Sequence, residues 1–266
     1  MAAHDNLTIV AIYGHNNGES AIPAMLKSLQ ELPGSQGLLI SPRRPKDLPK
    51  HIRHKSCHKM SYQQYSLFVM YCLHHYIKTS HCLIVQDDGW VLNGKNFKPE
   101  YYDYDYIGAP AHAGYKDNNL YYSFSWLHVP DAVPVLNGGF SLRSKRFLRC
   151  LGRRGLMYAF FSAQPLCNED VQICTFMRSK LEKLGMRFAP TEVALHFSLE
   201  YAGPGLHDKL KFDKLLGHHG PTRKLLPNNH IQITKPLSEV SNYYREIEFL
   251  DWLQDNGYTV EFHEPS

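Results

Sequence analysis

Apolar and polar positions alternate in two distinct rhythms along the first third of the chain. Three short apolar runs, "LTIVAIYG", "GLLISP" and "HCLIV", have the length and the branched residues of buried strands. Between them, "ESAIPAMLKSLQEL" and "SYQQYSLFVMYCLHHYI" repeat apolar residues at helical spacing. The resulting order, β-α-β-α-β, predicts a parallel sheet covered by helices. In such a sheet, ligands bind beyond the carboxyl ends of the strands.

The pattern becomes less regular in the second part of the chain. The run "AHAGYKDNNLYYSFSWLH" reads as a loop, and "VPVLNGGFSLRS" predicts a strand interrupted by a tight bend at Gly138 and Gly139. One helix is predicted over about residues 169–184, with Leu184 on its apolar face and its end at Gly185. The tail "SNYYREIEFLDWLQDNGYTVEF" predicts a helix, an Asn-Gly turn and a last strand. Together these elements predict one α/β domain, with a mainly parallel central sheet flanked by helices.

Composition is that of an ordinary soluble globular protein. Of 266 residues, 43% are hydrophobic and 20% are charged, which is enough apolar material for one large α/β core. The formal charge of +4 is spread along the chain and is not gathered into a tail. Such a charge permits an anionic ligand such as a nucleotide, but it does not require nucleic acid.

Neither a membrane span nor a secretion signal is predicted. The N-terminal apolar run is short and lacks a preceding cationic segment, and no run reaches the ~18 apolar residues of a membrane helix. We therefore expect the chain in the cytoplasm, with docking on a membrane surface left open. The cysteines form no C-x-x-C pair, which favours reduced thiols. In "HIRHKSCHK" the histidines and Cys57 are spaced almost as zinc ligands, but without a partner knuckle a solvated basic loop is favoured.

Two adjacent carboxylates end the third predicted strand, in "LIVQDDG". Strand alternation directs Gln86 and Asp88 to one face and Asp87 to the other, so Asp88 shares a face with a second polar residue. A carboxylate at this position can hold Mg²⁺ or Mn²⁺, whose remaining coordination sites accept diphosphate oxygens and water. The alternative is a structural turn, because Asp-Gly is by itself a strong turn signal. The pair alone leaves both interpretations open.

Five runs in fixed order carry a family resemblance: "LIVQDDGWVLN", "YDYIGAP", "LNGGFSLRS", "NEDVQIC" and "RFAPTEVALHFSLE". Over about residues 60–220 the chain resembles uncharacterised glycosyltransferase-like domains of the GT-A type. The resemblance implies a GT-A-like fold, a nucleotide-sugar donor, taken here as a UDP-sugar, and transfer to an acceptor hydroxyl. It also implies a division into a nucleotide-binding half (about 1–95), an acceptor and catalytic half (about 96–225) and a C-terminal helix and strand (226–266).

The resemblance also implies the metal ligands. Asp88 matches the acidic residue of a degenerate D-x-D motif, whereas Gln86 replaces the first Asp, a departure that weakens the case for strong metal binding. In "KLLGHHG", His219 matches a late histidine ligand, while a solvated pair with His218 is the alternative. His196 is the competitor, but it lies in an apolar, strand-like run. Mn²⁺ or Mg²⁺ is the implied cofactor.

The implied catalytic residues lie in "NED" at the start of the predicted helix. Inverting transferases need a carboxylate base, because the acceptor hydroxyl must lose its proton as it attacks. Asp170 is assigned as this base, and Glu169 is assigned to the acceptor. The alternative is structural: Asn168 is a good N-cap, and acidic residues in a first turn interact favourably with the helix dipole.

Donor contacts are expected from three further segments. The glycines of "LNGGFSLRS" would let backbone amides approach the donor sugar, and Arg143 could hold negative charge. Ala111 stands where the family is expected to have an aromatic residue, so part of the acceptor wall differs. The expected donor-binding residues are Tyr13, His15, Asn16, Gln86, Asp87, Asp88, Asn137, Gly138, Gly139 and Arg143.

Two other functional classes compete with a transferase. A metal-dependent phosphohydrolase or nuclease also uses strand-end aspartates, but it needs a denser cluster of ligands for two ions. A non-catalytic nucleotide-sugar-binding module could keep the fold and lose the chemistry, as the Gln86 departure would suggest. A glycan, a lipid-linked sugar, a protein or a modified nucleobase could each supply the acceptor hydroxyl, and the sequence leaves the acceptor and the oligomeric state open.

Overall fold

A seven-stranded sheet forms the centre of the structure, a computed structural model that describes residues 4–153, 156–158 and 167–262. From one edge to the other its strands are β3 (Ile52–Ser56), β2 (Gln36–Ser41), β1 (Leu7–Ile12), β4 (His81–Ile84), β8 (Val133–Ser144), β6 (Tyr106–Lys116) and β7 (Asn119–Tyr121). Strands β3, β2, β1 and β4 pair in parallel, whereas β8 pairs antiparallel with both β4 and β6. Strands β1–β4 and β6 therefore point the same way, so the sheet is mainly parallel as predicted.

Both faces of the sheet are buried by helices. Leu7 and Ile9 of β1 belong to one core cluster and Val10 and Ile12 to another, which is the alternation expected of a strand covered on two sides. One face packs against α2 (Tyr62–Tyr71), α3 (Lys145–Arg153) and α4 (Glu169–Cys174), and the other against α1 (Ile22–Glu31) and α6 (Thr191–Phe197). The predicted α/β class, with helices flanking a central sheet, is confirmed.

Helix α2 begins at a capping box next to the carboxyl edge of the sheet, that is, the side on which the parallel strands end. The Ser61 hydroxyl accepts a hydrogen bond from the Gln64 amide at 3.3 Å, and the Gln64 side chain accepts one from the Ser61 amide at 2.8 Å. These two bonds satisfy donors that a helix start leaves without partners, so the helix has a defined first turn. Tyr62 and Tyr65 are consequently fixed near the end of β1.

Two smaller sheets bring late segments of the chain to the same edge. Strands β5 (Gly89–Val91), β10 (Gly217–His219) and β9 (Ser198–Leu199) form one of them. Strands β11 (Arg223–Leu226), β12 (His230–Ile233) and β13 (Thr259–Phe262) form the other, packed with α7 (Leu237–Val240) and α8 (Glu246–Asp255) on a third core around Trp90. The predicted tail of helix, turn and strand is confirmed by α8 and β13.

Three predicted elements differ from the structure. The run "VPVLNGGFSLRS" is one continuous strand, β8, and is not broken by a bend. The irregularity lies in the neighbouring strand β6, where the pairing with β8 shifts register on either side of Pro110, a residue without an amide N–H to donate. The run "AHAGYKDNNLYY" forms β6 and β7, joined by Asp117 and Asn118 with positive φ, and is not a loop. The basic run "HIRHKS" forms strand β3, whose charged side chains suit the edge of a sheet.

The helix predicted over residues 169–184 is two helices, α4 and α5 (Arg178–Lys183). Thr175 leaves the helical conformation, and its hydroxyl joins its backbone amide in donating to the Val171 carbonyl, at 2.6 and 3.0 Å, a pattern that often bends helices. Leu184 is 38% exposed instead of buried, although the end at Gly185, with φ of +80°, is as predicted. The run around His196 is helix α6 and not a strand.

Within the described ranges, no helix has both the length and the apolar character needed to cross a bilayer.

Candidate functional site

The two adjacent carboxylates lie in a tight turn directly after β4. Gln86 and Gly89 exchange both backbone hydrogen bonds, each at 3.1 Å, which places Asp87 and Asp88 at the two central positions. The carbonyl of Asp88 accepts from the Gly220 amide and that of Asp87 from the Leu225 amide, both at 2.8 Å. The segment is therefore a turn, as one interpretation held, and its backbone is fixed where a site would need it.

Asp88, Gln86 and His219 meet at the carboxyl edge of the sheet. His219 Nε2 lies 3.3 Å from Asp88 Oδ1 and 3.1 Å from Gln86 Oε1. The Gln86 amide nitrogen donates to the Tyr65 hydroxyl at 3.2 Å, which directs the amide oxygen to the imidazole. Asp87 instead bonds Tyr13, so Gln86 and Asp88 contact the same imidazole, although they do so from a turn and not from the strand on which the prediction rested.

The electrostatics of this group favour a charged pair. Burial lowers the pKa of His219, but the carboxylates of Asp88 and Glu200 outweigh it and raise that pKa to about 10. Burial works to raise the pKa of Asp88, whereas the charge of His219, 3.3 Å away, holds it below its usual value. A protonated His219 thus balances the negative charge of the site, and a cation bound through Nε2 would have to take the place of that proton.

The neighbouring His218 points to the other side of β10. It is fully buried, its ring lies edge-on to Trp90 with centroids 4.0 Å apart, and burial lowers its pKa far below the usual value. Because successive residues of a strand face opposite ways, only one of the two histidines can reach the turn. Of the pair in "GHH", His219 is the one that contacts Asp88.

The group fits a hard divalent cation with few protein ligands. Asp88 Oδ1 is a buried atom without a hydrogen-bond partner, as is His219 Nδ1. The 3.1 and 3.3 Å separations around His219 Nε2 match the roughly 3 Å between adjacent ligands of an octahedral ion with bonds of about 2.1 Å. Across the described parts of the chain, no three His, Cys, Asp or Glu side chains form a metal-binding group. Diphosphate oxygens and water would have to complete the coordination.

A cavity of about 410 Å³ opens beside the turn. Its lining includes Tyr13 and His15 at the end of β1, Tyr62 and Tyr65 of α2, and Gln86. The Tyr13 hydroxyl donates to Asp87 Oδ1 at 2.7 Å and accepts from the Asp87 amide at 2.9 Å, so Tyr13 ties β1 to the turn. Burial, followed by the charge of Asp87, raises the pKa of Tyr13.

Of the three residues expected near the nucleotide, two line this cavity. Asn16 is exposed and does not belong to the lining; its side chain accepts from the Gly18 amide at 2.7 Å and contacts His15 at 2.9 Å. Gly14, between Tyr13 and His15, faces Met60 so closely that an added Cβ would lie 2.6 Å from the Met60 Cβ. Asn16 therefore supports the loop, and its direct contact with a donor stays a prediction.

The segment from Asn137 to Gly139 connects the turn to the carboxylates of α4. Asn137 Oδ1 accepts hydrogen bonds from the backbone amides of Gly139 at 2.8 Å and Phe140 at 3.3 Å, so the side chain is held against its own strand, β8. A Cβ on Gly139 would lie 2.2 Å from His219 Nε2 and 2.9 Å from Gln86 Oε1. Position 139 must therefore be glycine for the imidazole to reach its place.

Asp170 is held by two backbone amides. The Gly138 amide donates to its Oδ2 at 3.0 Å and the Val171 amide to its Oδ1 at 2.7 Å. Burial raises the pKa of Asp170 to about 7, and the nearby charges of Glu169 and Glu200 act in the same direction. Asp170 is half-buried, so it combines access to the crevice with a pKa near neutrality.

Glu169 and Arg143 form a buried ion pair behind this carboxylate. Arg143 Nη2 donates to Glu169 Oε1 at 2.8 Å, and the two residues are 0% and 4% exposed. The guanidinium also stacks over the Tyr106 ring, 4.8 Å from its centroid. Both residues thus face each other and not the open crevice, and their expected contacts with acceptor and donor stay predictions.

Asn168 differs from its expected role as a cap. It occupies the N-cap position of α4, but its side chain makes no capping hydrogen bond. The first-turn amide of Val171 is instead satisfied by the Asp170 carboxylate. The start of α4 is therefore stabilised by the same residue that the sequence assigns as the base.

Glu200 belongs to the site, although the sequence did not single it out. Strand β9 pairs in parallel with β10, with Leu199 opposite His218, so the next residue, Glu200, comes next to His219. Its Oε1 lies 3.8 Å from His219 Nδ1 and accepts a hydrogen bond from the side-chain nitrogen Nδ2 of Asn137 at 2.8 Å. An acidic residue directly after the apolar run "HFSL" is the signal that could have found it.

Comparisons with known proteins give one family. The family model described as "Protein of unknown function (DUF5672)" matches residues 52–219, which include Asp88, Asp170 and His219. No curated protein matches the chain. The galactosyltransferase LgtC, solved with donor and acceptor sugar analogues, is 11% identical over 93% of this chain and 95% of that chain, with a TM-score of 0.49. An active-site mutant of LgtC is 12% identical over 96% and 97%, with a TM-score of 0.48. With both TM-scores below 0.5, neither likeness assigns a function.

Proposed function

We propose that this chain, which belongs to the DUF5672 family of proteins of unknown function, transfers a sugar from a nucleotide-sugar donor to an acceptor hydroxyl. One observation carries the proposal: the cavity, the Asp88–His219 pair and Asp170 lie together at the carboxyl edge of the sheet. Gln86 lines the cavity and contacts His219, and Gly139 packs on both. The adjacent Gly138 binds Asp170. The resemblance of the sequence to GT-A-type domains supports the same function.

The cavity supports the donor assignment. Its volume of about 410 Å³ is within the usual range of small-molecule pockets, roughly 300–1,000 Å³. The rings of Tyr13 and His15, with centroids 5.7 Å apart, offer aromatic surface to a base or a ribose. We propose a UDP-sugar as the donor, with its diphosphate directed to Asp88 and His219.

Asp170 is proposed as the general base of an inverting displacement. The acceptor oxygen forms a bond to the anomeric carbon, and the bond from that carbon to the diphosphate oxygen breaks. The electron pair of the broken bond leaves with the diphosphate, and the acceptor proton passes to Asp170. A base with a pKa of about 7 suits this transfer at neutral pH.

Asp88, His219 and the Gln86 carbonyl are proposed to hold Mn²⁺ or Mg²⁺. The bound ion would act as a Lewis acid that neutralises charge on the diphosphate. The chain's own part is to present one carboxylate, one imidazole and one neutral oxygen in a fixed arrangement. The backbone bonds of the turn and the packing on Gly139 maintain that arrangement.

A non-catalytic nucleotide-sugar-binding module is the second candidate. The observation that favours it is the neutral Gln86, which contributes less charge to an ion than a carboxylate does. A two-ion phosphohydrolase gains no such support, because two ions need more ligands than Asp88, His219 and Gln86 provide.

A panel of nucleotide sugars, incubated with the protein and Mn²⁺, tests the proposal. A transferase binds one donor and slowly releases nucleoside diphosphate from it, with water in place of the acceptor. A binding module binds a donor without turnover, and a phosphohydrolase cleaves phosphate bonds without selecting a sugar. Absence of both binding and turnover over the whole panel would contradict the proposal.

A further inference from the structure

We infer that Glu200 is a positioning residue, which orients the imidazole of His219 so that Nε2 faces Asp88 and Gln86. The inference rests on the proposed function for its consequence, the binding of an ion at Asp88 and His219. The orientation itself is a property of the protein alone. The orientation of the ring follows from three features of His219 and Glu200: one unmet need for a hydrogen bond and two sets of contacts that hold the residues in place.

The first feature is the imidazole nitrogen Nδ1 of His219, which needs a hydrogen-bond partner. His219 Nδ1 is buried and has no hydrogen-bond partner, and a buried N–H without an acceptor is costly. Glu200 Oε1 lies 3.8 Å away, which is an ion-pair contact somewhat longer than a hydrogen bond. A histidine that binds a metal through one ring nitrogen commonly donates the other N–H to a carboxylate. Glu200 is the carboxylate available to Nδ1.

The second feature is the set of contacts that holds the carboxylate of Glu200. Its Oε1 accepts from the Asn137 amide nitrogen at 2.8 Å, and its side chain is 13% exposed. The orientation of the Asn137 amide is fixed in turn, because its oxygen accepts from the amides of Gly139 and Phe140. The carboxylate therefore has one preferred place, between β8 and His219.

The third feature is the set of contacts that holds the backbones of the two residues together. Arg223 Nη2 donates to the carbonyl of Glu200 at 2.8 Å and to that of His219 at 3.2 Å. Arg223 Nη1 donates to both carboxylate oxygens of Glu246, at 3.0 and 3.1 Å, and the pair is buried. A planar guanidinium bound on both sides cannot easily shift. The spacing between Glu200 and His219 is thus set from the backbone as well as from the side chains.

Removal of the Glu200 charge should release the imidazole without disrupting the fold. In Glu200→Gln the side-chain oxygen can still accept from Asn137, but it no longer offers a charged acceptor to Nδ1. The ring of His219 then loses its preference for the orientation that directs Nε2 to Asp88. Loss of such a supporting carboxylate typically lowers metal affinity by roughly 10- to 100-fold.

Calorimetric titration with Mn²⁺ alone, without donor, tests the inference in four proteins: wild type, Glu200→Gln, His219→Ala and the double variant. We expect Glu200→Gln to weaken Mn²⁺ binding by about 10-fold or more, and to have no further effect once His219 is replaced. Glu192→Gln removes an exposed charge from α6 and serves as the matched control, with wild-type affinity expected. The melting temperature of each variant shows whether the fold is intact.

Unchanged Mn²⁺ affinity in Glu200→Gln would overturn the inference, as would an equal loss in the His219→Ala background. A wild type that does not bind Mn²⁺ would contradict the proposed metal site instead. In that case a metal-free crystal structure of Glu200→Gln decides on the inference. We expect the His219 ring to move away from Asp88 in it, and an unmoved ring would overturn the orienting role.

Discussion

His219 Nε2 lies 3.3 Å from Asp88 Oδ1, although the two residues belong to distant parts of the chain. Antiparallel pairing of β10 with β5 brings them together, because His219 is opposite Gly89, the residue that follows Asp88. The Gly220 amide, bonded to the Asp88 carbonyl, fixes the same junction from the other side. Backbone pairing thus fixes the positions from which the two side chains meet.

Asp88→Asn should abolish the metal dependence of donor binding. The amide that replaces the carboxylate is a weak ligand for Mn²⁺ or Mg²⁺, whereas the backbone bonds of the turn do not involve the side chain. We expect donor affinity in the variant to be the same with Mn²⁺ and with chelator, and wild-type affinity to fall by about tenfold or more when chelator is added. Titration calorimetry measures both values.

Asp87→Asn is the matched control for this measurement. Asp87 occupies the adjacent position of the same turn, but its carboxylate accepts from Tyr13 and lies 3.9 Å from Lys224 Nζ. We expect this variant to keep the difference between Mn²⁺ and chelator. Equal donor affinity in wild type with and without metal would remove the metal site from the account.

Gly139→Ala should damage the site more than the fold. Its Cβ would lie 2.2 Å from His219 Nε2, so the imidazole must turn away from Asp88 and Gln86. We expect Mn²⁺ and donor binding to weaken by about tenfold or more, because the ring is one of the few protein ligands that we propose for the ion. Titration of both ligands, with a thermal melt for stability, checks the result.

Gly152→Ala provides the comparison for Gly139→Ala. The nearest atoms to a Cβ at position 152 are 3.7 Å away, and the residue lies in helix α3, where alanine is favoured over glycine by about 0.5–1 kcal/mol. This variant should bind ligands as wild type does and melt at the same temperature or higher. Equal binding losses in both variants would show that the close contact at Gly139 is not the cause.

Arg143→Met should destabilise the fold strongly, and Glu169→Gln should recover part of the loss. The single change leaves the buried Glu169 carboxylate without its partner, which typically costs about 3–5 kcal/mol. Replacing Glu169 as well removes the uncompensated charge. Urea denaturation of wild type, both single variants and the double variant gives the free energies of unfolding, and simple additivity of the two losses would contradict the ion pair.

The sequence indicated the central sheet and one half of the site because both depend on local pattern. The run Leu7–Ile12 is apolar at every position, and its side chains fill cores on both faces of the sheet. Strand alternation associated Gln86 with Asp88, and both side chains do contact His219, although the segment is a turn and not a strand. In both cases the signal lies within a short stretch of the sequence.

The remainder of the site depends on contacts between distant segments. Glu200 reaches His219 only because β9 pairs with β10, and no periodicity near residue 200 reveals that pairing. The ion pair of Arg143 is a second case, because α4 packs on β8 and so brings Glu169 to the buried guanidinium. The break at Thr175 was likewise not predicted, because a hydroxyl that bonds the preceding turn is tolerated in many helices.

The rate of transfer should depend on pH through Asp170. A general base must be ionised to accept a proton, and the pKa of Asp170 is about 7. We therefore expect kcat/KM to rise about tenfold per pH unit below that value and to level off above it, because a protonated carboxyl group cannot accept the acceptor's proton. Donor hydrolysis measured across this range checks the profile, and a rate independent of pH below neutrality would contradict the assignment.

The most direct test of the account compares donor turnover by wild type, Asp170→Asn and Glu169→Gln, with the first-formed sugar identified by NMR before it mutarotates. We expect Asp170→Asn to retain donor affinity close to wild type while turnover falls by ~10² or more, the scale expected for loss of a positioned base. We also expect the wild-type product to have the anomeric configuration opposite to that of the donor. Loss of turnover in Glu169→Gln but not in Asp170→Asn would move the base to Glu169. Full activity of both variants, or a product of retained configuration, would contradict the inverting displacement.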